Sequence, residues 1–312
     1  MMSDDALRLI QFSLVVAAPA VALPGIALNI VNVIVFIRLG LSDTTNISLL
    51  GLAVADIGVL LTMVGFSVIY NPCMPGDVRY VEFVRAFDYV VLGVTRVLFS
   101  RIAGCLMAFV TLERFLCISR PLHVKSIITP GRTSFIVVGV YVVMLTNTVP
   151  AFIADRIAPK FIPHLNATVL GLVFASDAEE LENITLTLNV TAQVTSFFVV
   201  VVSTLSMIRS LGRGALWRKS TAVKIRHVSV RDKQLVKMVI VVAMVFIVCF
   251  SPTIFVNSLM RIVSDFNIKG KERNLFIACC YLCYLMRSIN SAVNTFVYLS
   301  MSTKFQLKCF NL

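Results

Sequence analysis

The sequence predicts an all-α membrane protein, a seven-transmembrane helix bundle. Its composition is the first reason, because 58% of the 312 residues are hydrophobic and 14% are charged. Soluble domains contain about 45–50% apolar residues and about 25% charged residues. The mean hydropathy of +0.90 agrees. The second reason is that seven stretches each provide the roughly 20 mainly apolar residues that a helix needs to cross a bilayer. The runs are too long for membrane strands, each of which crosses the bilayer with only about 9–11 residues.

The seven predicted spans follow one another through most of the chain. They cover about 11–37, 47–70, 86–118, 133–154, 186–208, 235–260 and 275–300. A short extracellular N-terminus (1–10) precedes this seven-helix domain (11–300), and a short cytoplasmic amphipathic tail (301–312) follows it. The first span is too long for a signal peptide and lacks a basic start, so we interpret it as a helix of the bundle.

Lysine and arginine are concentrated in loops on one side of the predicted bundle. Nine of them lie from Arg209 to Lys237, and the loop around Arg120 and the tail are also basic, whereas the loop with Asp177 and Glu179 is acidic. The positive-inside rule therefore predicts an extracellular N-terminus and a cytoplasmic C-terminus. The net charge of +12 then belongs to loops beside the lipid bilayer, and no nucleic-acid partner is expected.

Three sequons and one cysteine are candidates for modification. Asn166, Asn183 and Asn189 begin glycosylation sequons in or near the acidic outer loop. Cys309 in the tail is a candidate for palmitoylation. Most of the eight cysteines lie inside apolar runs without zinc-ligand spacing, so we expect core residues rather than a metal site, and no cofactor.

Polar residues inside the spans are the main functional signal. A charge at mid-membrane costs roughly 2.5–3.5 kcal/mol on insertion scales, so such residues must face the bundle interior. The set comprises Asn29, Asp56, Asn290, Ser291 and Asn294. Because a buried polar network needs every member satisfied, we expect these side chains to meet across the bundle. A structural contact between helices and a moving switch are both compatible with this pattern.

Two charged residues lie at the inner end of the third span. Glu113 and Arg114 either anchor the helix at the interface, with Arg114 reaching for the lipid headgroups, or form an ionic latch. Asp232, a lone acid at the inner end of the sixth span, is the predicted second acid of that latch. An arginine released from its acids can offer its planar fork to a partner.

The sixth span contains a proline behind two aromatic residues. Pro252 removes one backbone hydrogen bond and kinks the helix. Phe246 and Phe250 lie within two turns before it. A kinked helix with bulky residues on its inner side can swing its cytoplasmic end, so this segment is a predicted activation switch.

Five motifs resemble those of the rhodopsin-like (class A) G-protein-coupled receptors, in the same order and at the same depth. They are Asn29 in the first span, LAVAD ending at Asp56, Glu113-Arg114-Phe115, FIVCFSP from Phe246 to Pro252, and NSAVNTFVY from Asn290 to Tyr298. Residues 41–50 and 111–118 resemble invertebrate orphan receptors of the mollusc chemosensory and peptide-receptor groups.

The resemblance implies a plasma-membrane receptor that is not an enzyme. An extracellular ligand would shift a two-state bundle, and the inner end of the sixth helix would move outward. Arg114 would leave Asp232 and contact a heterotrimeric G protein, while Asn294 and Tyr298 would hold the open state. Phe250 stands in place of the family's toggle tryptophan, and a sodium ion is possible at the polar cluster.

Some positions depart from the family pattern. Neither the second outer loop nor the top of the third span has a cysteine, so the disulfide that usually joins them is not expected. Thr295 replaces the proline of the last motif. Ala103 stands where a serine often helps to bind sodium, which weakens the prediction of a sodium site.

Two intramembrane arginines suggest an anionic ligand. Arg96 precedes Arg114 by 18 residues, or five helical turns, so both face one side of the third helix about 27 Å apart. Arg287 precedes Asn294 by seven residues, about two turns, and should also face inward, whereas Arg101 points elsewhere.

Guanidinium groups pair bidentately with carboxylate or phosphate. We therefore predict that Arg96 and Arg287 bind an acidic small molecule or a peptide with a carboxylate. The alternative is that internal acids such as Glu82 or Asp88 neutralise them.

Two other functions, a transporter and a non-signalling protein, are alternatives to a receptor. A secondary transporter would show paired repeats, which are absent, and seven spans do not divide into halves. A non-signalling seven-helix membrane protein is compatible with the departures from the family. No hydrolase or protease motif is present, so no enzyme is predicted.

Overall fold

A computed structural model describes residues 2–71, 73–74, 76–119, 124, 126–163, 166–220, 230–263, 265–267 and 270–309, except the side chains of 213–220, 230–233, 261 and 303–304. Within this part, seven helices are long and apolar enough to cross a membrane. They are α1 (Asp4–Leu39), α2 (Thr44–Ile69), α3 (Val78–Ser119), α4 (Pro130–Ala154), α5 (Ala178–Ser220), α6 (Val230–Ile262) and α7 (Arg273–Met301). A short helix α8 (Thr303–Cys309) follows. The predicted seven-helix fold class is confirmed.

Several helices begin before the predicted spans because polar residues cap them. Ser3 Oγ accepts a hydrogen bond from the Ala6 amide at 3.2 Å, and α1 carries Asp4 and Asp5 in its first turn. A capping serine accepts a hydrogen bond from a free amide of the first turn. Acidic residues in that turn interact favourably with the positive end of the helix dipole. The predicted spans rest on apolar runs alone, so they do not include these polar first turns.

The third helix is longer than predicted and is not uniform. It begins at Val78, where Asp77 Oδ1 accepts from the Tyr80 amide at 3.0 Å. A π-helical turn, Asp88–Gly93, interrupts its α-helical hydrogen bonding. Such turns are rare and frequently lie at functional sites. No periodicity in the apolar residues predicts this turn.

The segment between α4 and α5 forms a β-hairpin. Strands β1 (Asp155–Ile162) and β2 (Ala167–Phe174) pair antiparallel, and Asn166 in the turn has a φ of 45°. The hairpin packs against the first turns of α3, where Lys160 Nζ lies 3.6 Å from Glu82 Oε2. All eight cysteines lie in the described part, and none of them forms a disulfide. Packing and an ion pair therefore hold the hairpin in place of a disulfide.

Glycines allow close approach at the helix interfaces. Helix α3 contacts four other helices, α2, α4, α5 and α6. A Cβ at Gly58 in α2 would lie 2.4 Å from Phe99 Cγ in α3, and one at Gly25 in α1 would lie 2.9 Å from Leu60 Cδ1. Helices in lipid associate through such van der Waals packing, since apolar burial gives little driving force there.

We expect Gly58→Ala to lower the free energy of unfolding by about 1–3 kcal/mol, the usual effect of overpacking. The matched control is Gly139→Ala, where a Cβ meets nothing within 4 Å and a helical alanine is favoured by up to about 1 kcal/mol. The thermal midpoints of the purified proteins in detergent measure both changes. Equal midpoints for the two variants would show that Phe99 yields without strain.

Candidate functional site

A buried carboxylate connects α2 with α7. Asp56 Oδ1 accepts a hydrogen bond from Ser291 Oγ at 2.7 Å, and Asp56 Oδ2 accepts one from Asn294 Nδ2 at 2.8 Å. All three side chains are buried. Ser291 and Asn294 are three residues apart, so they share one face of α7 and reach the same carboxylate.

The first helix joins this polar network through two asparagines. Asn29 Nδ2 donates to the Ser291 carbonyl at 2.8 Å and to the Gly25 carbonyl at 2.9 Å. Asn32 Nδ2 donates to Thr295 Oγ1 at 2.8 Å. Sequence reasoning missed Asn32 and this use of Thr295. The signal was present, because Asn32 lies three residues after Asn29 and thus on the same helical face.

The place of Asn290 in this cluster stays a prediction. No hydrogen bond joins Asn290 to Asp56, and Asn290 Oδ1 has no partner among the described residues. Asn290 precedes Asn294 by four residues, so it lies on the same face of α7.

Arg114 is held by its neighbour and by α2. Arg114 Nη2 lies 2.5 Å from Glu113 Oε1 and 3.5 Å from Thr44 Oγ1. Thr44 Oγ1 in turn donates a hydrogen bond to Glu113 Oε1. Sequence reasoning missed Thr44, which only the packing of α2 on α3 brings to this pair. The side chain of Asp232, the predicted second acid, lies outside the described residues.

The proline segment of α6 contains a buried aromatic stack. The rings of Phe246 and Phe250 are 4.0 Å apart at an interplanar angle of 22°. Pro252 has no N–H for the carbonyl four residues earlier, and Ser251 Oγ donates to that carbonyl, of Val248, at 3.1 Å. The Val248 carbonyl, which Pro252 leaves without its helical donor, therefore has a local hydrogen bond. Helix α6 can bend there without leaving this carbonyl unpaired.

Tyr298 lies in an aromatic cluster at the α8 end of the bundle. Its ring centroid is 5.5 Å from that of Phe36 and 5.7 Å from that of Phe305. A cavity of about 710 Å³ at this end is lined by Tyr298 and Phe305, and also by Thr44 and Met238. The cavity thus lies beside the residue of α2 that holds the Glu113–Arg114 pair.

Two predicted ligand-contacting arginines meet at one tyrosine. The Arg96 guanidinium carbon lies 4.3 Å from the Tyr284 ring centroid, and that of Arg287 lies 5.8 Å from it. Arg96 Nη2 is also 3.5 Å from Asp88 Oδ1 in the π-helical turn. Arg287 Nη1 donates to Ser100 Oγ at 3.0 Å. Arg96 is therefore neutralised internally, by Asp88.

Comparison with known proteins decides the family. Residues 29–298 match the family described as 7 transmembrane receptor (rhodopsin family). The chain belongs to this family. It is a rhodopsin-like, seven-transmembrane signalling receptor and a multi-pass protein, typically of the plasma membrane.

The receptor resembles several receptors that have different names. It is 28% identical to the growth hormone secretagogue receptor type 1 of Mustela putorius furo over 328 aligned positions, which cover 100% of this chain and 84% of the relative. It is 25% identical to the allatostatin-A receptor of Bombyx mori over 271 positions, which cover 86% and 70%. It is 23% identical to the N-arachidonyl glycine receptor of Rattus norvegicus over 222 positions, which cover 70% and 61%. Family membership removes the transporter as an alternative, and the names point to no single ligand.

The candidate modification sites of the receptor have different surroundings. Asn166 is exposed in the hairpin turn, and Asn183 is exposed near the start of α5. Asn189 is half-buried within α5, and Cys309 is half-buried at the end of α8. Glycosylation and palmitoylation of these residues stay predictions.

Proposed function

We propose that the receptor activates a heterotrimeric G protein through Arg114 when an extracellular ligand binds. The observation that carries this proposal is the restraint of Arg114 by Glu113 and Thr44 beside the cavity at the α8 end. A buried arginine held by neighbouring polar groups can be released when helices move apart. The guanidinium group of Arg114 can then donate hydrogen bonds to a partner in the widened cavity.

In the proposed orientation the α8 end faces the cytoplasm and the hairpin end faces outward. The support is the concentration of basic residues in the loop after α5 and in the tail, together with the acidic residues that follow the hairpin. The exposed sequon at Asn166 lies on the proposed outer side. The short tail with α8 would lie along the inner membrane surface, with Leu307 and Lys308 exposed.

The proposed ligand is an anion that contacts Arg287 and Arg96. Arg287 has no carboxylate within ion-pair distance among the described residues. Arg96 is less available because Asp88 and Tyr284 already contact it. The proposal for Arg287 is therefore the stronger of the two.

The central test is G-protein activation in cells by the wild type and by Arg114→Ala. Activation is measured basally and against a ligand library, at matched surface expression. We expect Arg114→Ala to reduce activation about tenfold or more, the scale of a coupling free energy. The matched control is Arg132→Ala, because Arg132 is an exposed arginine at the same end whose guanidinium donates, within the described part of the chain, to the Ser126 and Ile127 carbonyls.

We expect the Arg132 variant to stay within about twofold of the wild type, as usual for exposed positions. If the Arg114→Ala variant activated G proteins as strongly as the wild type does, Arg114 would be excluded as the coupling residue. Absence of activation by the wild type with every G protein, basally and with the whole library, would contradict G-protein coupling as proposed.

A further inference from the structure

The half of the bundle around Tyr284 contains more buried positive charge than buried negative charge. Arg96, Arg101 and Arg287 are each at most 5% exposed. Asp88 is the one carboxylate within ion-pair distance of any of them in the described part of the chain, and it contacts Arg96. Arginine stays protonated in proteins, and a buried charge without a counter-charge is strongly destabilising. The other two guanidinium groups therefore have no compensating carboxylate in the described part of the chain.

Arg101 is the least satisfied of the three. Its Nε and Nη1 atoms are buried and have no hydrogen-bond partner among the described residues. Arg287 Nη1 donates to Oγ of Ser100, the residue before Arg101, at 3.0 Å, so the positive charges of Arg101 and Arg287 lie near each other. Because α3 is enclosed by four other helices, a side chain turned away from Arg96 still points into protein and not into lipid.

A second unsatisfied donor lies at the same level on α5. A Cβ at Gly104 of α3 would be 3.4 Å from Ser196 Oγ of α5, so these two positions face each other. Arg101 lies three residues before Gly104, and Gln193 lies three residues before Ser196. Because α3 and α5 run in the same direction, both side chains lie about one turn nearer the N-terminal ends of these helices. Gln193 is buried, its Oε1 accepts from Asn257 Nδ2 at 2.7 Å, and its Nε2 has no partner in the described structure.

We infer that Arg101 and Arg287, with the Gln193 amide nearby, form a binding site for a compact anionic group. The group is a carboxylate of the ligand or a small inorganic anion. The site differs from the Arg96–Arg287 pair predicted from the sequence, because Asp88 already neutralises Arg96. Its role in ligand recognition rests on the proposed receptor function, but the binding of an anion can be measured separately.

The test is thermal unfolding of the purified receptor in phosphatidylcholine nanodiscs at constant ionic strength. Chloride or succinate progressively replaces a large sulfonate as the buffer anion. We expect the wild-type midpoint to rise by about 3 °C or more once an anion exceeds its dissociation constant tenfold. The variants are Arg101→Gln and Arg101→Lys, with Arg156→Gln as the matched control, since Arg156 is an exposed arginine of the hairpin.

The proposal expects two opposite effects of Arg101→Gln. In sulfonate alone the variant should be at least as stable as the wild type, since it removes an uncompensated buried charge. In chloride or succinate it should lose the rise in midpoint that the wild type and Arg156→Gln retain. A purely structural role for Arg101 would instead lower stability in every anion. Arg101→Lys keeps the charge without the fork, so we expect a weaker rise.

The outcomes separate the two sources of the anion. A chloride response that depends on Arg101 indicates a resident inorganic anion, and a response to succinate alone indicates an acid group of the ligand. A wild-type midpoint that is independent of both anions, or equal responses in Arg101→Gln, would overturn the site. G-protein activation is scored separately, so a coupling receptor without an anion response refutes only this inference, and an anion response without coupling refutes only the proposed function.

Discussion

Replacing Asp56 with alanine is expected to lower the free energy of unfolding by about 2–6 kcal/mol. The change leaves Ser291 Oγ and Asn294 Nδ2 without their acceptor, and each buried unsatisfied group costs about 1–3 kcal/mol. The effect should be large in the membrane because no water from the lipid can replace the lost partner. The measurements are the thermal midpoint in detergent and the amount of receptor at the cell surface.

The variant Asp56→Asn is the matched control for the loss of charge. An asparagine keeps one acceptor for Ser291 and directs an amide at Asn294. Asn294 Oδ1 has no partner among the described residues, so the Asn294 amide can rotate and accept from the new donor. We expect Asp56→Asn to keep most of the stability that Asp56→Ala loses. Equal losses in both variants would show that the negative charge itself, rather than the hydrogen bonds, stabilises the bundle.

Replacing Glu113 with glutamine is expected to raise basal G-protein activation by about fivefold or more, the lower end of common coupling effects. The carboxylate of Glu113 lies 2.5 Å from Arg114 Nη2, and an ionised acceptor gives roughly twice the hydrogen-bond strength of a neutral one. A neutral amide weakens the restraint, so the population in which Arg114 is free increases. Basal activation at matched surface expression measures the change.

Thr44→Val tests the other part of the same restraint. Valine keeps the shape of threonine and removes the hydroxyl that contacts Glu113 and Arg114. We expect a smaller rise in basal activation, because the Glu113–Arg114 contact remains. Adding Arg114→Ala to either variant should abolish the rise. Unchanged or lower basal activation in Glu113→Gln, with normal surface expression, would contradict the interpretation of Glu113 as a latch.

The helices and their buried polar face could be predicted from the sequence. Lipid cannot satisfy backbone groups or charges, so long apolar runs must be helical and intramembrane polar residues must face inward. That reasoning predicts that Asp56, Ser291 and Asn294 lie together, and hydrogen bonds join them in the structure. It also predicts Asn290 in the cluster, which stays a prediction.

Contacts between helices could not be predicted in the same way. The hydroxyl of Thr44 beside Glu113, the contact of Asn32 with Thr295 and the hairpin that packs on α3 each depend on which helices are neighbours. The π-helical turn at Asp88 likewise changes the direction of the side chains before Arg96. Apolar periodicity records only the distinction between lipid-facing and buried residues and contains no information on partners.

The sequence by itself determined the number of spans, the family motifs and the types of polar residue that the bundle must enclose. Only the tertiary structure decided which of those residues are satisfied. Asp88 neutralises Arg96, whereas Arg101 and Arg287 are buried without a carboxylate in the described part of the chain. The physical reason is that burial of a polar group follows from the chain's composition and the solvent, while its compensation requires an atom of another helix within about 3 Å.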